Sequence, residues 1–281
     1  VPYFSLIVVP GDSAATPSAA RLRMVGEDVV AESRARAADL LVVGLGPGPD
    51  AWLTPEASDA IASVDHVVGY APYVARVPQR AGLTRHASGN TVEVDRARFA
   101  LDLASRGERV AVVSGGDAGV FGMAAAVFEA AADPAYDDVD IRVLPGVSAV
   151  QAVAARAGAP IGGDFAVVNL SDRLKPWSVL EDRLRALAEA DLVIALYNPA
   201  SRARTEQIGW ARELLLKVHA PSTVVVVGRD VGRAEESLTV TTLGDLDPAS
   251  IDMKCLVIVG SSATRVTRGR VWTPRFVGAS R

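Results

Sequence analysis

Eight short apolar runs, each closing in a glycine-rich or polar turn, constrain this chain more than any other feature. They are Leu40–Gly44, His66–Gly69, Arg109–Val113, Asp140–Leu144, Phe165–Leu170, Leu192–Tyr197, Thr223–Val227 and Cys255–Val259. Runs this short and this apolar read as strands buried on both faces. The stretches between them carry Ala, Leu, Arg and Glu at helical spacing. They predict helices over Pro55–Ser63, Asp95–Ser105, Phe121–Ala132, Ser148–Ala157, Ser178–Ala190 and Arg202–Val218. Thr54-Pro55-Glu56 supplies an N-cap followed by a proline at the first helical position. Strands alternating with helices predict an α/β architecture with a largely parallel sheet.

The 281 residues are 49% hydrophobic, which is ample for a core and excludes general disorder. Gly158-Ala159-Pro160-Ile161-Gly162-Gly163 breaks the pattern. The expectation is two α/β domains, 39–157 and 164–281, joined by a linker over 158–163. Residues 1–38 do not fit. Tyr3–Val9 is strand-like and is followed by an Ala-, Ser- and Arg-rich stretch from Asp12 to Ala38. This leader reads as the last strand of something else plus a linker, or as an edge strand of the same domain plus a loop. A chain starting at Val1 reads as a piece of something longer.

A net charge of −4 argues against a general nucleic-acid binder. One cysteine, Cys255, excludes an internal disulfide, and no signal peptide is visible, so a reduced cytoplasmic compartment is expected. No apolar run approaches the roughly 20 residues of a membrane span. His66, His86 and His219 are scattered, and none pairs with Cys255 at ligand spacing, so no metal site is expected. Cys255 heads an apolar strand and reads as a core residue.

Chemistry is expected at the turns, because open α/β sheets bind ligands outside the carboxyl ends of their strands. Gly44-Leu45-Gly46-Pro47-Gly48 departs from the dinucleotide pattern: its third glycine comes early, and prolines intervene before the helix. It reads as a tight loop or as a bare wall for a bulky ligand. Ser114-Gly115-Gly116-Asp117-Ala118-Gly119-Val120-Phe121-Gly122-Met123 is the strongest local signal, and Asp117 is its only charge. With no cation for phosphates, that turn suits a nucleoside carrying a sulfonium amino acid. Ser148, in Pro145-Gly146-Val147-Ser148-Ala149, can cap the following helix. In the second half Arg173, Arg202, Arg204, Arg229 and Arg233 follow strand ends. Arginines gathered at one edge suit a polycarboxylate.

These turns, with Leu196-Tyr197-Asn198-Pro199 and Gly228-Arg229, resemble the tetrapyrrole (corrin/porphyrin) methylase family over about Asp39 to Pro274. Gly69–Val74, Leu170–Trp177 and Thr273-Pro274-Arg275 resemble the branch that methylates precorrin-3B at carbon 17 with ring contraction. The resemblance implies two α/β domains with S-adenosylmethionine in the cleft between them, and a homodimer. It implies cofactor contacts from Pro47, Gly115, Gly116, Asp117, Val120, Phe121, Ser148, Ala149, Asn198 and Gly228. Gly46, Tyr70, Tyr73, Asn90, Glu93 and Arg96 would face the tetrapyrrole. Gly116 is an added glycine relative to the family's commoner Gly-Asp-Pro form, and Ala118 replaces its proline. Val1–Gly11 resembles the closing strand of precorrin-2 20-methyltransferase, which some organisms fuse to the 17-methylating enzyme. Glu93 and Asp172 are the candidate acid and base for the proton transfers of ring contraction. The alternatives are methylation of another ring carbon, against which Leu170–Trp177 argues, and a non-catalytic tetrapyrrole carrier, against which the intact Asp117 loop argues.

Overall fold

The computed structural model describes residues 38–89, 92–173 and 175–276, all within one compact unit, Arg36–Arg281. In chain order the first half contains β1 (Leu40–Gly44), α1 (Pro55–Ser63), β2 (His66–Tyr70), α2 (Ala71–Val74), β3 (Thr84–Ser88), α3 (Glu93–Ser105), β4 (Val110–Ser114), α4 (Met123–Ala130) and β5 (Ile141–Leu144). Next come α5 (Ala149–Ala157) and β6 (Gly158–Ala159), then β7 (Phe165–Asn169), α6 (Trp177–Glu189), β8 (Val193–Tyr197), α7 (Gln207–Leu215) and β9 (Val224–Arg229). The chain continues with β10 (Ser237–Thr242), β11 (Cys255–Val259), β12 (Arg265–Thr267) and β13 (Arg270–Trp272). The eight expected strands all form. The expected leader strand Tyr3–Val9, the linker up to residue 37, and Asn90 lie outside the described residues.

The first sheet has the order β3-β2-β4-β1-β5, and every neighbouring pair is parallel. Alternate residues of a strand point to opposite faces. Leu40 and Val42 therefore pack with α3 and α4, while Val43 packs with Ala57 and Ile61 of α1. The chain leaves β1 on one face and β4 on the other, so the adjacent ends of β1 and β4 form a topological switch point. The Thr54 cap is as expected, with Thr54 Oγ1 accepting from the Ala57 amide at 3.1 Å.

The second sheet, β10-β9-β11-β8-β7, corrects the expectation of a largely parallel architecture. Its β7–β8 pair is parallel, whereas β8–β11, β11–β9 and β9–β10 are antiparallel. A buried apolar run carries no record of its direction. Helix α5 packs on this second sheet although the sequence places it at the end of the first half. Its Val150, Val153 and Ala157 share a core with Val226, Leu256 and Ile258, on the face opposite α6 and α7. The segment expected as a linker is built into the structure: β6 pairs with β13, and Thr273 Oγ1 donates to the Pro160 carbonyl at 2.6 Å. Two helices are shorter than expected. Phe121 takes φ 53° and delays α4 to Met123. A turn in which the Ser201 amide donates to the Arg204 carbonyl at 2.7 Å precedes α7.

Candidate active site

The carboxyl ends of β1, β4 and β5 bring the three glycine-rich turns of the first half together. Gly46 and Gly116 exchange backbone hydrogen bonds of 3.0 and 2.9 Å across two of them. Asp117 ties in the third: its Oδ2 accepts from the Gly146 amide at 2.9 Å, while Oδ1 accepts from Gly119 and Val120 at 2.8 and 3.1 Å. The one acid of this loop is thus a hub for backbone amides. Ser148 caps α5 as expected, in a reciprocal capping box with Gln151.

The carboxyl ends of β8 and β9 meet these turns. The ring of Phe121 packs edge-on to Tyr197 with centroids 5.2 Å apart. The Tyr197 hydroxyl accepts from the Val150 amide at 2.9 Å, and burial pushes its pKa up. The Trp52 side chain packs with the second half's core beneath α5, and Arg156 lies over its ring at 5.0 Å.

Gly116 is the roomiest glycine of these turns. A Cβ built there has no neighbour closer than 3.9 Å, the nearest being Ser148 Cα and Val147 O. These are ordinary contacts, and they set Gly116 against the start of α5. Asn198, exposed and at φ 49°, donates from Nδ2 to Asn169 Oδ1 at 3.2 Å at the β8 end.

Two of the expected cofactor glycines have packing roles. A Cβ on Gly115 would fall 2.5 Å from Tyr73 Cε1, so the tyrosine ring lies directly on that backbone. On Gly228 it would fall 2.5 Å from Val153 Cγ2, so this glycine lets α5 approach β9. Tyr70 and Tyr73 stand edge to face at 5.4 Å, and burial pushes the Tyr73 pKa up. Glu93 is exposed at the first position of α3 and contributes to the field at Tyr73. Arg96, expected on the tetrapyrrole face, is only 5% exposed. It donates to Ser88 Oγ at 2.8 Å, to Met123 Sδ at 3.2 Å and to the Gly89 carbonyl, which places it behind the surface. Asp172 is partly buried, with Oδ2 accepting from Gln207 Nε2 at 2.9 Å and Oδ1 3.9 Å from Arg204 Nε.

Arg76 went unrecognised in the sequence. Its guanidinium donates to the carbonyls of Leu45, Gly46 and Gly48 at 2.7 to 2.9 Å, holding the first turn from behind. No local pattern marks it, since its partners lie about thirty positions away in the chain. The histidines are less scattered than their spacing suggests, because adjacent strands set His66 Nδ1 3.0 Å from His86 Nε2. Among the described residues no group of three or more His, Cys, Asp or Glu side chains gathers as a metal site. A hollow of about 450 Å³ lies at the opposite edge of the second sheet, lined by Asp191, His219 and Arg265 among others, and away from these turns.

The family model for tetrapyrrole (corrin/porphyrin) methylases matches residues 39–247. This chain belongs to that family. It is 49% identical over 249 residues to precorrin-3B C(17)-methyltransferase of Sinorhizobium sp, covering 86% of this chain and 98% of that protein. It is equally identical over 283 residues to cobalamin biosynthesis protein CobIJ of Mycobacterium tuberculosis, covering 98% of this chain and 52% of that protein. The chain therefore spans about half the length of these CobIJ relatives. The crystal structure of the methyltransferase CobJ superposes with a TM-score of 0.83 at 46% identity, over 84% of this chain and all of that one. A uroporphyrin-III C-methyltransferase from Thermus thermophilus, complexed with S-adenosylhomocysteine, shares the fold at a TM-score of 0.60 and 20% identity.

Proposed function

We propose that this chain transfers a methyl group from S-adenosylmethionine to carbon 17 of a precorrin-3B-type tetrapyrrole in cobalamin biosynthesis, with contraction of the macrocycle. The similarity to the Sinorhizobium enzyme across nearly that enzyme's whole length carries this reading. The meeting of both sheets' carboxyl edges at the Phe121–Tyr197 contact supports it.

The donor, when bound, supplies an electrophilic methyl on a cationic sulfur. The chain's own task is positioning and water exclusion, which are large contributors to such a transfer. In this reading the donor lies beside Gly116, near Ser148 and the Asp117 loop. Asp117, engaged by three amides, shapes the loop instead of facing the sulfonium, where a negative charge would hold back the neutralising transfer. Pro47, Val120, Ala149 and Asn198 border the donor. Gly46, Tyr70, Tyr73 and Asn90 present a wall to the macrocycle. Glu93, free of ion pairs among the described residues, is the better placed of the two proton-transfer candidates, because Gln207 and Arg204 engage Asp172.

The match to CobIJ reaches 98% of this chain, against 86% for the single-function enzyme. This supports a role as one half of a two-enzyme polypeptide whose other half is a precorrin-2 20-methyltransferase. A homodimer and a cytoplasmic setting complete the reading. Among the described residues no helix is long and apolar enough to cross a membrane. Relatives named as cobalt-factor III methyltransferases, at 42% identity in Salmonella typhimurium, make cobalt content the open specificity question. Incubation with precorrin-3B or cobalt-factor III plus S-adenosylmethionine tests both points. A ring-contracted product carrying one more methyl, located at carbon 17 by NMR, is expected. Methylation elsewhere, or none with either substrate, overturns the assignment.

A further inference from the structure

Four consecutive carbonyls of the first turn accept from guanidinium groups, and the two arginines involved come from different halves of the molecule. Arg76 holds Leu45, Gly46 and Gly48, while Arg233 Nε donates to Pro47 O at 3.3 Å. Arg233 sits in the turn after β9. A Cβ on Gly48 would fall 2.4 Å from Gly232 O, so the two backbones touch with no side chain between them.

Acids and cations alternate around this contact: Glu235 pairs with Lys254 at 3.7 Å, and Glu236 accepts from the Gly232 amide and from Arg156, each at 2.7 Å. Asp230 is the buried acid of the turn, with a side chain only 4% exposed. Its closest cation is Lys254 at 2.8 Å, and it is shared with Arg229 at 3.5 Å and Arg233 at 3.6 Å. Asp252 pairs with Arg229 at 3.0 Å. Arg76 makes no ion pair among the described residues, and the acid it feels, Asp50, is exposed. Burial lowers the Arg76 pKa, and the Arg233 charge lowers it further. Two cations face the first turn: Arg76 on carbonyls alone, and Arg233 on the Pro47 carbonyl and the shared carboxylate of Asp230. Arg76 has its donors engaged behind the turn. Arg233 keeps a half-exposed side chain, 51% accessible, close enough to Tyr73 to influence its ionisation.

We propose that Arg233 is a carboxylate-binding residue of the cleft, supplied by the second half and held in place by Asp230 and the Pro47 carbonyl. This rests on the reading that a tetrapyrrole and an amino-acid-bearing methyl donor meet in this cleft. With Nε donating to Pro47 O and Nη1 3.6 Å from Asp230 Oδ1, the guanidinium keeps Nη2 free of protein partners among the described residues, and that donor suits a carboxylate. Both ligands carry one, the macrocycle on its peripheral chains and the donor on its amino-acid end.

The test uses the whole chain with Arg233→Gln and Arg233→Lys. Uroporphyrin III and its octamethyl ester, followed by fluorescence, are the macrocycle probes, and S-adenosylhomocysteine, followed by calorimetry, is the donor probe. The expected result is about tenfold weaker binding of the octacarboxylate by Arg233→Gln, with the ester unaffected and partial recovery in Arg233→Lys. Loss of S-adenosylhomocysteine affinity instead assigns the carboxylate to the donor. Both affinities within about twofold of wild type overturn the proposal alone. Wild-type protein that binds neither probe overturns the functional reading and this proposal with it. Should Arg233→Gln fail to fold, Arg233→Lys decides: its guanidinium geometry is lost with the charge kept, and undiminished binding overturns the proposal.

Discussion

The carboxylate of Asp117 reaches the amide of Gly146, 2.9 Å away, and joins the turn after β4 to the turn after β5. With the Gly119 and Val120 amides also on this side chain, the loop that contains Gly116 is shaped by one residue. Asp117→Ala leaves three amides without their acceptor. Thermal or denaturant melts are expected to show a loss of about 1–3 kcal/mol, the range for unmatched polar groups. S-Adenosylhomocysteine affinity, read by calorimetry, is expected to fall as well. Unchanged affinity in a folded variant would show that the loop's shape does not serve the donor.

Gly115 lies under the ring of Tyr73. In Gly115→Ala the new methyl would meet Tyr73 Cε1 at 2.5 Å and push the ring away. Overpacking of this kind costs about 1–3 kcal/mol. KM for the tetrapyrrole is expected to rise more than the affinity for S-adenosylhomocysteine falls. Tyr73→Ala alone costs about 3–5 kcal/mol through the space it leaves, so the double variant Gly115→Ala with Tyr73→Ala should lose less than the sum of the two single losses, and additive losses would place the clash elsewhere.

Gly228 and Val153 make the corresponding pair in the second half. Gly228→Ala drives a methyl to 2.5 Å from Val153 Cγ2 and lifts α5 from β9. A loss of about 1–3 kcal/mol in urea unfolding is expected. Val153→Ala in the same chain should offset part of it, because it removes the two methyls concerned. Additive losses in the double variant would rule out this contact as the reason for the glycine.

Burial pushes the Cys255 thiol up to about 11 from an ordinary 9.0. The folded state therefore favours the neutral thiol. Below about pH 9 the thiol is neutral folded and unfolded, and its contribution to stability is flat. Between about 9 and 11 the unfolded chain ionises first, so that contribution is lost as pH rises. Stability measured from pH 8 to 11 should fall more steeply in wild type than in Cys255→Ala. Parallel profiles would show that the thiol does not titrate differently on folding. Thiol reagents at pH 8 should label Cys255 at the rate of unfolding.

Six of the eight expected strands lie inside the sheets and were legible from sequence because burial on both faces demands uninterrupted apolar residues, while β5 and β7 stand at sheet edges and were legible from their apolar residues alone. Edge strands escape that demand. Thr84–Ser88 is largely exposed and polar, and Ser237–Thr242 alternates, so neither stood out. The turns rich in glycine were equally legible, since backbone-to-backbone contact excludes side chains wherever it occurs, and the family resemblance rested on those local patterns. What each bare position accommodates was not legible: Tyr73 on Gly115 and Val153 on Gly228 look the same in sequence as Gly116, where a Cβ would meet nothing closer than 3.9 Å. Strand direction in the second sheet, the transfer of α5 to that sheet and the burial of Arg96 belong to the same group. So does the convergence of Arg76 and Arg233 on one turn, where Arg233 and Pro47 stand 186 positions apart. Local sequence determined which segments become strands, helices and turns, because hydrogen bonding and burial act on neighbouring residues. The tertiary structure decided which turns meet and which charges are left unpaired, because those follow from contacts that exist only once both sheets are packed.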